Sequence, residues 1–467
     1  MRKLNLFFIL ISWFSFSQNK QVLYGFSEIP QALLSNPGSK VSNIGYLGLP
    51  FASHFHLSLG TSGTTAYDLF AVDGINFNTK IERAINNSTE KDFFTINQQL
   101  ELFSGGFSLT KNYGKKQYIS FGVYQEFDFI SYFPKDFAVL AFEGNQANIG
   151  VPFQANQISI SAEVISVWHL GYNKKVNNKL TYGLRGKIYS SIINVNSINN
   201  EGAFTTLSSN NNFYRHIFNL DIAVKTSGYA SNGDELRFEP RDVSKRLFFG
   251  GNLGLGFDAG FTYNFTDRLM FDGSIQDIGF IRHTKEVENY KVKGNFEFEG
   301  IDPIFFDQND GDTANDFFNN IETQFEDLFD IEDNRDSYTT WRPVKFNVSL
   351  NYSFGKMKDK DCNCLTDETP YINRAGVQLY AIKRPKGLQM ALTGYYYRRL
   401  FKSLRAKVTY TLDSYSFNNI GFGLSAHVGG ANFYILADNF LQYQNIYDAQ
   451  SVSLQLGINY IFNKNEK

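Results

Sequence analysis

The chain has 467 residues, with 44 Lys and Arg against 46 Asp and Glu and only 2 Cys. A net charge of −2 supplies no field to attract polyanions, so nucleic acid is not an expected partner. Aromatics reach 16% while mean hydropathy is −0.28. Past residue 17 no run approaches the ~18 apolar residues of a spanning helix, which excludes a helical membrane protein and leaves a large all-β fold.

In chain order, the first element is a secretory signal peptide over residues 1–17. Arg2 and Lys3 precede an apolar run from Leu4 to Phe16, and Ser15-Phe16-Ser17 fits a small-x-small cleavage site. Residues 18–50 follow as a segment too apolar for a solvated tail and too short for a core of its own: Leu23, Tyr24, Phe26, Ile29, Leu33 and Leu34 need burial. The expectation is an N-terminal plug inside a barrel, with a short helix over 27–34 ended by a turn at Asn36, Pro37 and Gly38. Proline fixes its own φ and drives Ser35-Asn36 out of the helical region.

Residues 51–467 read as a transmembrane antiparallel β-barrel, because long runs alternate strictly with period two. Val452, Leu454, Leu456, Ile458, Tyr460 and Phe462 share one face of the last run, and Ser451, Ser453, Gln455, Gly457 and Asn459 the other. Candidate strands number sixteen, from 52–60 to 451–463, with 202–208 the weakest; even counts bring both ends to the periplasm, so 14–16 strands are expected. Alternation places Arg185, Lys187, Asp258, Lys345, Arg405 and Lys407 on lumenal faces, which implies a charged, wet interior. The short polar turns at 112–116, 174–178, 266–267 and 429–430 then share the periplasmic side. The long segments 61–103, 129–158, 228–249 and 280–341 lie outside, and 355–373 stands as a long periplasmic exception.

Three groups of residues invite a chemical reading. His54, His56 and Ser58 align on one face of the first strand, as any His-x-His-x-Ser does on a strand; a girdle or lumenal His pair is preferred over an esterase, and no third metal ligand lies nearby. No catalytic residue is therefore assigned. The extracellular loop 280–341 carries twelve acidic residues and one basic between Asp302 and Asp336. Within it Asp307, Asn309, Asp310 and Asp312 resemble a calcium loop, although Gly311 comes one place early and Phe318 replaces the closing Glu. Calcium through a non-standard site is the one cofactor considered. Phe317, Ile321, Phe325 and Leu328 recur at helical spacing, which suggests a helix near 315–330. Cys362 and Cys364 form a candidate periplasmic disulfide, with a free pair or a redox or metal role left open.

Short motifs give the barrel a likeness. Leu34-Ser35-Asn36-Pro37-Gly38 resembles the Asn-Pro-Ala box in the N-terminal plug of long-chain fatty-acid transporters, with Gly in place of Ala. Phe265-Thr266-Asp267-Arg268-Leu269, Gln276-Asp277-Ile278-Gly279-Phe280 and Tyr338-Thr339-Thr340-Trp341-Arg342-Pro343 resemble stretches of uncharacterised Gram-negative barrels distantly similar to the type IX secretion shuttle barrel. The resemblance implies a fourteen-stranded outer-membrane barrel that passes or binds a small hydrophobic molecule without catalysis. The alternative is an accessory barrel with secretion or surface-attachment partners.

Overall fold

The computed structural model describes residues 15–16, 20–110, 116–209, 214–231, 240–298, 332–356 and 371–462. The signal peptide lies outside them except for Ser15 and Phe16, which precede the expected cleavage site and bridge Gln389 and Met390. The calcium-like residues Asp307 to Asp312, the helix near 315–330, Cys362 and Cys364 also lie outside the described residues.

Fourteen antiparallel staves close on themselves. The first is made of two pieces, β1 (Gly45–Gly48) and β2 (Phe55–Thr61), both paired with the last strand on one side and with β3 (Phe93–Ser108) on the other. β4 (Gln117–Tyr132) follows, then a short edge piece, β5 (Pro152–Gln154), and the long strands β6 (Ile160–Lys175) and β7 (Leu180–Ser208). β8 (Tyr214–Gly228) leaves the ring; β9 (Asn252–Asn264) and β10 (Leu269–His283) rejoin it. β11 (Val287–Phe298), β12 (Glu332–Asn334) and β13 (Tyr338–Trp341) precede the closing run of β14 (Lys345–Lys356), β15 (Tyr371–Arg384), β16 (Gly387–Arg399), β17 (Leu404–Leu412), β18 (Asn419–Val428), β19 (Ala431–Ala437) and β20 (Ser451–Phe462).

Two of the sixteen candidate strands are not staves. Residues 202–208 are the upper end of β7, whose 29 residues span roughly 95 Å, far more than a tilted crossing requires. Only 180–191 of β7 pairs with the next stave; 193–208 pairs instead with β8, and β8 with β11, so 215–227 belongs to a sheet standing above the wall. The segment 61–103 is likewise shorter as a loop, because β3 begins at Phe93. The wall begins at Gly45, so the N-terminal segment ends before residue 50. Within 280–341, β10 runs on to His283 and β13 pairs back onto it.

Side-chain polarity is inverted relative to a soluble core, as a wall between lipid and a polar interior requires. Leu255, Leu350, Val408 and Leu456 point outward and are exposed, while Gln378, Thr393, Ser425 and Gln455 point inward and are fully buried. One outward position, Gln98, is polar and half-buried. Three bulges interrupt the ladders of the wall. In one, Gln276 and Asp277 oppose Asp258 between the pairs Phe257/Ile278 and Ala259/Ile275, and Asp277 takes φ +59°.

Candidate functional site

The lumen is occupied by the chain's own residues 20–44. Val22, Leu23, Tyr24, Phe26 and Ile29 are buried there, and a single helical turn, α1 (Ala32–Ser35), follows. Such a segment inside a polar bore leaves its backbone carbonyls without partners unless the wall supplies donors. The wall does so on either side of residues 26–32, where the carbonyls of Phe26, Ile29, Pro30, Gln31 and Ala32 accept instead from the segment's own amides. Lys407 Nζ donates to the Gln21 and Tyr24 carbonyls at 3.1 and 2.7 Å, Arg374 to Gly25 at 2.6 Å, and Arg185 to Leu33 and Leu34. Ser274 Oγ donates to Ser35 at 2.7 Å, Asn173 Nδ2 to Pro37 and Ser39 at 2.7 and 2.9 Å, and Lys116 to Val41 at 3.0 Å.

Asn36, Pro37 and Gly38 form a tight turn against the wall. Asn36 Oδ1 accepts from the Gly38 amide at 2.8 Å, and Thr262 donates to the Gly38 carbonyl at 2.9 Å. A Cβ on Gly38 would overlap the backbone of Gly260, and one on Gly183 would overlap Pro37. Backbone therefore meets backbone here, which explains why glycine rather than alanine follows the proline in this chain.

Arg185, Lys187, Asp258, Arg405 and Lys407 are buried and Lys345 half-buried, and these charges are packed against partners. Asp258 accepts from Arg185 at 3.0 Å and from Lys187 at 2.8 Å; Lys187 also reaches Asp277 at 2.6 Å. Lys345 bridges Asp277 at 2.9 Å and Glu126 at 3.3 Å, and Arg342 pairs with Glu126 at 3.1 Å and with Glu163. This chain of charges runs across the bore from β10 and β14 to β4 and β6. A second crossing, Arg384 to Asp128 at 2.5 Å, joins β15 to β4. Lys407 binds the N-terminal segment, and Arg405 lies 3.9 Å from Glu28 within it. Glu126, Asp277, Arg342, Glu163, Arg384 and Asp128 were not singled out from the sequence. Their partners are some 70 to 260 positions away, and no local spacing announces such pairs. What space remains in the lumen beside Lys20, Glu126, Lys187 and Asp277 is a cavity of about 40 Å³.

His54, His56 and Ser58 are buried on the lumenal face of β2 and its approach. His54 Nδ1 lies 2.7 Å from the Tyr434 hydroxyl, and the two imidazoles stack with centroids 6.5 Å apart. Among the described residues no hydrogen bond joins Ser58 to either ring, and no three His, Cys, Asp or Glu side chains converge as a metal cluster.

The outer rim differs from the lumen. Between β2 and β3 the chain forms α2 (Ala66–Phe70) and α3 (Phe77–Asn87); after β4 it forms α4 (Lys135–Glu143). α2 starts with a capping box, Thr65 and Asp68 bonding each other's backbone amides at 2.8 and 3.2 Å. Lys135 Nζ donates to the Ser88 and Asn86 carbonyls at the end of α3, at 2.8 and 3.2 Å, and so ties α4 to it. Lys80 bridges Asp73 at 2.7 Å and holds its carboxyl below the usual carboxylate range. Beneath these helices lies an apolar cavity of about 580 Å³, walled by Leu69, Ile81, Ile85, Phe94, Ala138 and Phe142. Its floor includes Phe93 and Tyr132, whose other neighbour is the lumenal Tyr415, 5.3 Å from Phe93. The cavity therefore shares Phe93 and Tyr132 with a buried cluster that also holds Ile130 and Tyr415. The sequence offered only the long segments 61–103 and 129–158 at this place; the cavity needs both folded together.

A closed fourteen-stranded antiparallel wall, apolar outside and polar inside, defines a transmembrane β-barrel of the Gram-negative outer membrane. The chain belongs to a family of unknown function, DUF5723, whose model matches residues 37–438. No curated protein matches it. Among solved structures it is similar to a Pseudomonas aeruginosa FadL homologue at 10% identity and a TM-score of 0.42, covering 96% of this chain and 100% of that one. It is similar to the Ralstonia pickettii toluene transporter TbuX at 9% identity and 0.40, covering 93% and 94%. The Pseudomonas putida toluene transporter TodX matches at 10% and 0.36, covering 93% and 94%. Likenesses this distant carry nothing about ligand or route, which must be argued from the residues themselves.

Proposed function

We propose that this barrel captures a small hydrophobic molecule at the outer surface and passes it inward without catalysis, with residues 20–44 serving as a plug that closes the bore between passages. The apolar cavity of about 580 Å³ at the rim carries this reading. Its volume lies in the range of ordinary ligand sites, roughly 300–1,000 Å³, and its walls are mainly apolar where those of the neighbouring cavity are polar. The lumen cavity, at about 40 Å³, holds only water-sized occupants. A molecule that binds at the rim therefore meets a closed path, and passage requires the plug or the ring cluster of Phe93, Tyr132 and Tyr415 to move.

Proteoliposomes containing the full chain should accumulate a labelled hydrophobic solute faster than empty liposomes, and Ala138→Phe, which narrows the cavity, should reduce the difference. Equal uptake with and without the protein would defeat the transport reading. The sheet of β8 and β11 standing above the wall favours a second reading, an accessory barrel for secretion or surface attachment. Specific co-purification of secretion components, lost on removal of 214–228, would support it.

A further inference from the structure

The apolar cavity at the rim has a polar neighbour. A second cavity of about 450 Å³ lies on the other side of α3, lined by Asp68, Asp73, Lys80, Arg83 and Asn87 among others. The two share Gly63, Thr64, Ala84, Ser88 and Asp92. Every shared residue but Asp92 is small.

From this juxtaposition we infer that the site takes an amphiphile with one apolar arm and an uncharged, hydroxyl-bearing head, the arm in the first cavity and the head in the second. The inference rests on the reading of the rim as the capture site and names its ligand class.

The head is assigned from the groups that would face it. Asp92 lines both cavities, and its carboxylate is held in place by Ser62 Oγ at 2.8 Å and by the Thr89 amide and hydroxyl at 2.7 and 2.9 Å. A carboxylate only accepts, so it favours a ligand hydroxyl and repels a second carboxylate. Thr64 and Ser88, with hydroxyls 3.4 Å apart, add two groups that both donate and accept. The nearby lysines that could reverse this preference are already engaged: Lys80 pairs with Asp73 at 2.7 Å and donates to the Ala71 carbonyl, and Lys135 donates to the Ser88 and Asn86 carbonyls at 2.8 and 3.2 Å. Arg83 is exposed on the outer side of α3, where water screens it. A pure hydrocarbon would leave the polar chamber unused, and a fatty acid would bring its charge against Asp92.

The test compares three ligands with the same alkyl arm, glycerol monolaurate, laurate and dodecane, on the full chain in lipid nanodiscs. Labelled glycerol monolaurate is the probe and the other two are competitors. Glycerol monolaurate should bind at least about tenfold more tightly than either competitor. Asp92→Asn should narrow the gap to laurate by removing the charge at unchanged shape, and Ala141→Phe, which intrudes on the apolar arm, should abolish binding of all three. Both variants are admitted only if their heat-modifiable gel mobility matches the parent. Laurate or dodecane binding as tightly as the ester overturns the inference and leaves the rim as a capture site. No saturable binding of any of the three overturns both. Undiminished ester binding in a folded Ala141→Phe variant shows that the ligand sits elsewhere.

Discussion

The lumen and the rim cap solve opposite burial problems. In the lumen, charged groups are taken out of water, and the central carboxylates are paired: Asp258 with two cations, Asp277 with two and Glu126 with two, while carbonyls on either side of 26–32 accept from wall donors. That matching leaves about 40 Å³ of free space and a rigid interior. At the cap, helices α3 and α4 are joined by few polar bonds, chiefly those of Lys135, and they arch over an apolar cavity of about 580 Å³. A cavity of that size with apolar walls suits a small ligand, and a network of paired charges across the bore suits a closure.

If the lumen is held by its charges, removing one partner should be costly. Arg185→Met deletes the bidentate link between Asp258 and the Leu33 and Leu34 carbonyls and is expected to destabilise the barrel by about 3–5 kcal/mol, read from urea unfolding in lipid vesicles. A loss below about 1 kcal/mol would mean the network is solvated and the contrast with the cap is false. The wall itself should respond next. Lysine at the lipid-facing Leu456 is expected to cost roughly 2–4 kcal/mol. Its neighbour Gln455 faces inward, but it is fully buried and bonds Asp438 at 3.0 Å, so lysine there must find an ion pair with that carboxylate or lose stability too. The smallest effect belongs to the cap. Thr65→Ala removes one half of the capping box and should cost about 1 kcal/mol, confined to faster proteolysis within 62–92 while the urea midpoint of the wall stays put. A shift of that midpoint would show cap and wall to be one cooperative unit.

Alternation made the wall legible, since lipid outside and polar groups inside impose period two on every stave. The same rule misled at β8. Leu220, Ile222 and Val224 share one face there against Asp221, Ala223 and Lys225, as on a stave, yet the strand pairs only with β7's upper half and β11. Periodicity reports two unlike faces and is silent about depth. Only the end of β3 is legible, in the candidate strand 104–112; over its first half Phe93 and Phe94 obscure the phase and the outward row is interrupted by Gln98. The burial need of 18–50 was visible as apolar content on a short segment, whereas its grip by Lys407, Arg374 and Asn173 was not. Those contacts join positions 134 to 386 apart. The rim cavity had no signature at all, because it exists only between two loops.

The central claim is that residues 20–44 close the bore. Single-channel recording on the refolded barrel lacking 20–44, beside the intact chain, tests it most directly. A large, steady conductance in the truncated barrel with its heat-modifiable mobility intact, against a near-silent parent, is the expected result. An unchanged, near-zero current in a folded truncated barrel would contradict the claim and leave the charge crossings from Arg342, Lys345 and Arg384 as the closure instead.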